Sequence, residues 1–154
     1  MKKTVKTLLA VCDGEAIALS SVPDDVFAQK MLGDGFAVVP SKNEFFAPID
    51  GEVVNISDTL HAYSIKGDDG LEVLLHIGID TLELRGAGFE PKVRVGAKVC
   101  AGDLIALADI KLIEECGYKT VTPVVVTNFE ALSRYELYLG RVVGGESPVM
   151  KYEI

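Results

Sequence analysis

The two histidines of this 154-residue chain, His61 and His76, lie in one short segment, LHAYSIKGDDGLEVLLHIGID (60–80). The GDDG sequence between them is typical of a tight turn between two hairpin strands. If Asp68 and Asp69 form a two-residue loop, or if the loop has four residues, the two histidines lie directly opposite each other, with β-carbons about 4.5–5.5 Å apart. A loop of three residues would break this match. The segment therefore predicts an imidazole pair whose register depends on the length of the turn.

Alternation along the second strand of this hairpin separates two faces. One face is wholly apolar and is predicted to be core: Leu71, Val73, Leu75, Ile77 and Ile79. The other face carries Glu72, Leu74, His76, Gly78 and Asp80. On the partner strand, Thr59, His61, Tyr63 and Ile65 are predicted to share this second face, with Thr59 opposite Gly78. A hydroxyl, a glycine and a carboxylate around two imidazoles favour a functional site over a buried structural histidine.

Two facing imidazoles suit phosphoryl transfer. A neutral imidazole nitrogen is nucleophilic near pH 7, provided that the other ring nitrogen is held by a hydrogen bond. His76 would accept the phosphoryl group, and His61, oriented by the Thr59 hydroxyl, would donate to its oxygens. Gly78 would leave room for backbone amides to approach the anion. The chain contains no GxxxxGK[ST] and no GxGxxG motif, so the donor is predicted to be a phosphorylated protein and not ATP.

Two other kinds of protein remain as alternatives. The spacing from His76 to Asp80 resembles part of the ligand set of β-rich zinc peptidases, but those also need an H-x-H pair that a chain with two histidines cannot supply. The segment VRVGAKVCAGDLI (93–105) is similar to lipoyl or biotinyl carrier domains, which need a lysine at an exposed hairpin tip, where this chain has Asp68 and Asp69. The sequence predicts neither a metal nor a cofactor.

Composition narrows the class of protein further. With 15 basic and 23 acidic residues the formal net charge is −8, which disfavours nucleic acid and anionic lipid and favours a basic protein partner. The N-terminal stretch has no signal peptide and the chain has no apolar run long enough to span a membrane, so a cytoplasmic protein is predicted. Cys12, Cys100 and Cys116 form no CxxC pair, and we expect all three to be structural. The length predicts one domain, 1–154.

Glycines and prolines separate many short β-rich runs, which is typical of an all-β fold, here an antiparallel sandwich or barrel-like structure with a few short helical turns. The predicted strands are 36–39, 51–56, 63–65, 71–79, 98–100, 104–107, 121–126 and 149–154. Helices are predicted over 24–32 and 110–116, and a third over 128–139. An Asp-Gly turn leads into a strand twice, in AVCDGEAI (10–17) and APIDGEVV (47–54), which indicates a pseudo-symmetric sandwich.

The chain resembles the glucose-type enzyme IIA family of the bacterial phosphoenolpyruvate-dependent sugar phosphotransferase system. The resemblance extends over nearly the whole chain, and its most specific segment is VLLHIGIDTLELRGAGF (73–89). Other matching segments are VPDDVFAQKMLGDGFAVVP (22–40), FFAPIDGEVV (45–54) and VRVGAKVCAGDLI (93–105). The resemblance implies a largely antiparallel β-sandwich with a shallow active-site depression on one sheet.

The resemblance also implies roles for the residues of the hairpin. His76 matches the phosphorylated histidine, modified at Nε2 (the tele position), and His61 matches the second active-site histidine, which supports the phosphoryl group without carrying it. Thr59 matches the hydroxyl that bonds this second imidazole. Asp80 and Gly78 are expected at the rim of the depression.

The partners follow from the resemblance as well. Family members take a phosphoryl group from the phosphohistidine of HPr and pass it to a cysteine of a IIB domain, whose membrane partner IIC translocates the sugar. Contact with the membrane is thus expected only through IIC, and regulatory protein targets are compatible with this role.

The expected docking surface lies after Pro23. Val26, Phe27 and Met31 match an apolar docking surface, and Asp24 matches an acidic docking residue. The alternative interpretation is that the apolar residues cap the core and that Asp24 is a favourable charge at a helix N-terminus. Three nearby residues, Asp25, Ser57 and Leu60, differ from the commoner choices of the family.

Overall fold

The computed structural model describes residues 5–154. The first four residues, part of the stretch from which a cytoplasmic protein was predicted, lie outside this range. Residues 5–154 form fourteen strands: β1 (Lys6–Leu9), β2 (Gly14–Ala18), β3 (Asp34–Pro40), β4 (Glu44–Phe46), β5 (Gly51–Ile56), β6 (Ala62–Gly67), β7 (Glu72–His76), β8 (Phe89–Pro91), β9 (Lys98–Val99), β10 (Leu104–Ala108), β11 (Thr122–Val126), β12 (Arg134–Leu137), β13 (Gly140–Val142) and β14 (Pro148–Glu153). Two short α-helices are present, α1 (Asp25–Ala28) and α2 (Ile110–Glu115), and no helix of the described part is long and apolar enough to span a bilayer.

All strand pairs are antiparallel, which confirms the predicted fold class. An eight-stranded sheet has the order β13-β2-β3-β11-β7-β6-β5-β9, and two three-stranded sheets have the orders β1-β14-β12 and β4-β10-β8. These orders are related by a pseudo-two-fold exchange of β2 with β5, β3 with β6, β7 with β11, β9 with β13, and the first small sheet with the second. The strands β1–β3 therefore correspond to β4–β6, and β7–β10 to β11–β14.

The two Asp-Gly turns make equivalent contacts, as expected from the similarity of segments 10–17 and 47–54. The Asp13 carboxylate accepts from the Gly144 N–H at 2.7 Å, and the Asp50 carboxylate accepts from the Ala101 N–H at 2.7 Å. A Cβ on either Gly14 or the glycine that follows Asp50 would meet a backbone carbonyl of the neighbouring strand at about 2 Å. At both turns the aspartate thus bonds a distant loop, and the glycine after it allows close approach to the neighbouring strand.

The main core lies between the large sheet and the two small sheets. It contains the alternating inner residues of β5, β6, β7, β11 and β3 together with side chains from β1, β4, β10 and β14. A second, smaller core covers part of the outer face of the large sheet and consists of Leu19, Val22, Phe27, Ala37, Ile79, Val121 and Val125. The chain segment that contains α1 therefore packs on the outer face, where the side chain of His76 also lies.

The predicted register of the β6–β7 hairpin is wrong by one residue. His76 is paired with Ala62 and not with His61, and the turn has three residues, closed by a hydrogen bond from the Gly67 N–H to the Leu71 carbonyl at 2.7 Å. The cause is Asp69, whose carboxylate accepts from the Leu71 N–H at 3.0 Å and from the Tyr152 hydroxyl at 2.6 Å. The Asp69 carboxylate thus connects the turn to Tyr152 of β14.

This shift also changes the faces of β6. Tyr63 and Ile65, predicted to share a face with His76, are buried in the main core, because a slip of one residue exchanges the two faces of a strand. The predicted placement of Thr59 opposite Gly78 fails for the same reason.

The helix predicted over 110–116 is confirmed, but those over 24–32 and 128–139 need correction. Helix α2 begins after Asp109 as predicted, with the Asp109 side chain accepting from the Leu112 N–H at 3.0 Å, and it ends at Glu115, one residue before the predicted end. Helix α1 ends at Ala28 because the chain turns away at Lys30, which has a left-handed φ of 58°. The third predicted helix, 128–139, is wrong: a 3₁₀ turn is followed by β12, which pairs with β14. Of the three cysteines, Cys12 is buried, but Cys100 and Cys116 are exposed.

Two buried tyrosines allow a test of this core. The hydroxyl of Tyr63 is buried and has no hydrogen-bond partner among the described residues, whereas the hydroxyl of Tyr152 bonds Asp69. We expect Tyr63→Phe to leave the free energy of unfolding unchanged or to raise it by about 1 kcal/mol, because an unpaired buried hydroxyl is removed. The matched variant Tyr152→Phe should lower it by roughly 1–3 kcal/mol, since a carboxylate loses its donor. Urea denaturation measures both, and a larger loss for Tyr63→Phe than for Tyr152→Phe would contradict the assignment.

Candidate functional site

His76 is the last residue of β7, and its ring is held by the backbone that follows. The Nδ1 atom lies 2.7 Å from the Gly78 carbonyl oxygen. A carbonyl can only accept, so Nδ1 carries the hydrogen and donates it, and the lone pair of the neutral ring is on Nε2. This backbone contact fixes the tautomer of the ring.

Gly78 makes this contact possible through its conformation. Its φ of 77° is left-handed, which turns its carbonyl back toward His76. A Cβ at this position would lie 2.5 Å from Cγ2 of Thr81 and 2.9 Å from the Lys119 carbonyl oxygen. The same left-handed residue breaks the alternation of the strand, so Ile79, predicted for the main core, is buried in the second core instead.

His61 contacts His76 although the two residues are not directly paired. The ring centroids are 4.6 Å apart and the planes are at 80°, so one ring meets the other edge-on. His61 precedes β6, and its carbonyl accepts from the Ile77 N–H at 2.8 Å. Leu60, with a left-handed φ of 64°, changes the direction of the chain just before it. The side chain of His61 is thereby brought against His76 at the end of the hairpin, and it is only 6% exposed.

Two hydroxyls lie next to the inner nitrogen of His61. Thr59 Oγ1 is 2.8 Å from His61 Nδ1, and Ser57 Oγ is 3.3 Å from the same atom. The Thr59 contact was predicted from the sequence. Ser57 was noted only as an unusual residue near the second histidine, because nothing in a sequence pattern shows that a serine four positions away bonds the same ring atom.

Two phenylalanines flank the imidazole pair. Phe27 of α1 lies with its ring centroid 5.0 Å from that of His76, and Phe89 of β8 lies 6.5 Å from His61. Both rings are buried. Phe89 was not predicted, although it ends the most specific motif of the sequence. The site is thus a polar pair in an apolar surround, open to solvent on the His76 side, where the ring is half-buried.

Burial controls the charge of both rings. Desolvation, together with the nearby His76, lowers the pKa of His61 from 6.5 to about 4, and a hydrogen bond with the Thr59 backbone opposes this shift only in part. Desolvation also lowers the pKa of His76, while the Gly78 carbonyl and the charges of Asp24 and Asp80 act in the opposite direction. Both imidazoles are therefore neutral at pH 7.

The remaining predicted residues lie near the pair, on α1 or close to its two ends. Asp24 is the N-cap of α1 and accepts from the Val26 N–H at 2.9 Å. Asp80 is exposed and has a left-handed φ of 60°. Val26 is 41% exposed and Met31 is 68% exposed. The two acidic residues are close enough to act on the pKa of His76, and the two apolar residues lie on the surface after Pro23.

The arrangement can perform nucleophilic chemistry at one nitrogen. His76, which is partly exposed, has its lone pair on Nε2, and His61 offers a second neutral ring whose other nitrogen can donate. Within residues 5–154, no group of three or more His, Cys, Asp or Glu side chains could hold a metal ion.

Comparison with known proteins gives one consistent family. Residues 6–132 match the family model described as phosphoenolpyruvate-dependent sugar phosphotransferase system, EIIA 1. The chain is 38% identical over 149 residues to the glucose-specific EIIA component of the phosphotransferase system from Buchnera aphidicola subsp. Acyrthosiphon pisum, with 97% of this chain and 91% of that protein covered. It is 42% identical over 153 residues to the glucose-specific EIICBA component of Streptococcus pneumoniae, of which it spans only 21% while 99% of this chain is covered. The solved structure of glucose permease IIA from Mycoplasma capricolum superimposes with a TM-score of 0.90 at 38% identity, covering 96% of each chain.

The lowered pKa of His61 predicts a pH dependence of stability. Well above pH 6.5 neither the folded nor the unfolded chain binds a proton at this residue, but as the pH falls through 6.5 toward about 4 the unfolded chain binds one before the folded chain does. The free energy of unfolding should therefore fall as the pH falls, by about 2 kcal/mol between pH 6.5 and pH 5 from this residue. His76 adds a loss of the same sign.

Urea denaturation at several pH values measures this loss. The control is His61→Gln, which keeps a polar side chain but cannot titrate, so its stability should fall less over the same interval. Equal slopes for the parent and the variant would show that His61 has an ordinary pKa in the folded state.

Proposed function

Since the chain belongs to the EIIA 1 family of the phosphoenolpyruvate-dependent sugar phosphotransferase system, we propose that it is a phosphocarrier and acts as a phosphotransferase component. His76 accepts a phosphoryl group from the phosphohistidine of HPr and passes it to a cysteine of a IIB domain. The observation that carries this proposal is the hydrogen bond from His76 Nδ1 to the Gly78 carbonyl, because it leaves the Nε2 lone pair free beside a second imidazole.

The first step is the attack of His76 Nε2 on the phosphorus of the donor. The new N–P bond forms as the N–P bond of the donor histidine breaks, and the donor ring leaves with the electron pair of that bond. The Nδ1 hydrogen of His76 stays in its bond to the Gly78 carbonyl throughout. Transfer to the IIB cysteine is the same displacement with a thiolate as the attacking atom.

His61 supports the phosphoryl group without carrying it. When the Thr59 hydroxyl donates to Nδ1, at 2.8 Å, the hydrogen of the neutral ring is on Nε2. An N–H at this position, on a ring in edge contact with His76, donates to the phosphoryl oxygens as charge develops on them. The lowered pKa of His61 keeps it a neutral donor, so the ring does not repel His76 by carrying a second charge.

The surface around the site suits a basic partner with an apolar centre. Val26 and Met31 are exposed apolar side chains, and Asp24 and Asp80 provide negative charge near His76. Phe27 lies beneath them and forms a wall of the site instead of an exposed contact. The net charge of −8 increases the rate of encounter with a basic protein.

The wider assembly follows from the relatives. The name of the EIICBA relative combines C, B and A components, and this chain matches 21% of that protein. We infer that residues 1–154 act as one EIIA domain in the cytoplasm and meet the membrane only through IIC. The carrier-domain alternative lacks support, because the tip of the β6–β7 hairpin holds Asp68 and Asp69 instead of a lysine.

Two variants test the roles of the histidines. After incubation with phosphoenolpyruvate, the first enzyme of the system and HPr, the parent should carry an acid-labile, base-stable phosphate on His76, and His76→Ala should carry none. His61→Ala should still accept phosphate but should pass it to IIB roughly 100-fold more slowly, since a donor to the phosphoryl oxygens is lost.

Phosphate incorporation and single-turnover transfer to purified IIB measure these effects separately. A parent protein that stays unphosphorylated would disprove the proposed function. Transfer from His61→Ala at the parental rate would remove the role of His61 and leave that of His76 intact.

Two matched variants test the docking surface. Met31→Arg places a positive charge on the proposed surface, whereas Leu139→Arg makes the same change in net charge at a residue that is 50% exposed and lies between β12 and β13. We expect Met31→Arg to raise the KM for HPr several-fold more than Leu139→Arg, because only the local charge repels the bound partner. Equal KM values for the two variants would place the docking surface elsewhere.

A further inference from the structure

We propose that Ser57 is a positioning residue that holds His61 in the tautomer with the hydrogen on Nε2. The serine directly follows β5 and begins the loop that carries Thr59, Leu60 and His61. Its hydroxyl oxygen contacts both the His61 ring and the backbone of Ala62.

The backbone of this loop explains why the Ala62 N–H donates to the side chain of Ser57 and not to its carbonyl. Ser57 and Ala62 continue the β5–β6 ladder, since the Ser57 N–H donates to the Ala62 carbonyl at 2.9 Å. In a regular antiparallel pair the Ala62 N–H would donate in return to the Ser57 carbonyl. That carbonyl is occupied by the Leu60 N–H at 2.9 Å, so the Ala62 N–H donates to Ser57 Oγ, at 3.1 Å.

This contact determines what the hydroxyl of Ser57 does with its hydrogen. One lone pair of the oxygen is taken by the Ala62 N–H, and the hydroxyl hydrogen needs an acceptor of its own. The other side-chain contact of this oxygen is His61 Nδ1, at 3.3 Å. Donation from Ser57 to Nδ1 requires a lone pair on Nδ1, and the hydrogen of the neutral ring is then on Nε2.

Thr59 alone does not select this tautomer. A hydroxyl at 2.8 Å can rotate to donate to Nδ1 or to accept from it, so it satisfies either form of the ring. Ser57 reduces this ambiguity, because accepting from both Ala62 and His61 would leave its own hydrogen without a protein partner among the described residues, whereas donation to Nδ1 uses that hydrogen. The pair of hydroxyls therefore favours the form of His61 that carries its hydrogen on Nε2.

The tautomer of His61 can be measured without any phosphotransfer partner. Nitrogen-15 NMR at pH 7 distinguishes a protonated from an unprotonated ring nitrogen, and His76 serves as an internal reference because its Nδ1 donates to a carbonyl. We expect Nε2–H to dominate at His61 in the parent. In Ser57→Ala the tautomer ratio should shift toward Nδ1–H by roughly 2- to 10-fold, the size of one neutral hydrogen bond. Ser57→Thr, which keeps the hydroxyl, should restore the parental ratio.

Two controls separate this role from a purely structural one. If Ser57 only secures the loop, Ser57→Ala will accelerate hydrogen exchange of the Ala62 amide and leave the tautomer ratio of His61 unchanged, which would overturn the proposal. Thr59→Val, which leaves Ser57 as the sole hydroxyl at Nδ1, provides a second measurement should Ser57→Ala fail to fold. A majority of Nε2–H in Thr59→Val supports the proposal, and a majority of Nδ1–H overturns it.

The consequence for phosphoryl transfer rests on the proposed function. Ser57→Ala should still be phosphorylated on His76 and should transfer to IIB more slowly by a factor similar to the shift of the tautomer ratio, whereas parental transfer would overturn this consequence. A parent protein that HPr does not phosphorylate would disprove the proposed function, and the tautomer measurements would still decide the role of Ser57.

Discussion

The site depends on keeping two imidazoles in contact and neutral. Burial disfavours a charge on either ring, and a charge on His76 would lower the pKa of His61 further. The structure supplies the Nδ1 atom of each ring with hydrogen-bond partners: a backbone carbonyl for His76, and two hydroxyls for His61. The two left-handed residues Leu60 and Gly78 direct the chain so that these partners are in reach. Conformational strain at Leu60 is thus part of how the pair is held.

Helix α1 connects the site to the surface around it. Asp24 caps this helix and also acts on the pKa of His76, while Phe27 of the same helix packs against the His76 ring. The helix has four residues and is held in place chiefly by the second core beneath it. A partner that contacts Val26 would therefore press on an element that directly lines the His76 ring. The proposed docking surface and the proposed acceptor thus share one short segment of the chain.

The sequence predicts those features that depend on local patterns. Strand β5 and helix α2 were predicted because alternation in one and the Asp109 cap in the other are local signals. The hairpin register was not, because it depends on Asp69 meeting Tyr152, two residues separated by most of the second half of the chain. The predicted contact between the imidazoles is nevertheless present. The left-handed backbone of Leu60 brings His61 against His76 despite the shifted register. Ser57 became visible only when its distance to the ring was known.

The pseudo-two-fold strand order determines when the strands of the large sheet can pair during synthesis. In the large sheet the hairpin β2–β3 and the hairpin β5–β6 are not neighbours, because β11 and β7 lie between them. The first half of the chain to leave the ribosome thus makes two separate hairpins with no common sheet, and β3 must wait for β11, which arrives more than half a chain later. Pairing over such a sequence distance folds slowly and leaves strand edges open meanwhile. The large sheet therefore stays incomplete until β11, residues 122–126, has been translated.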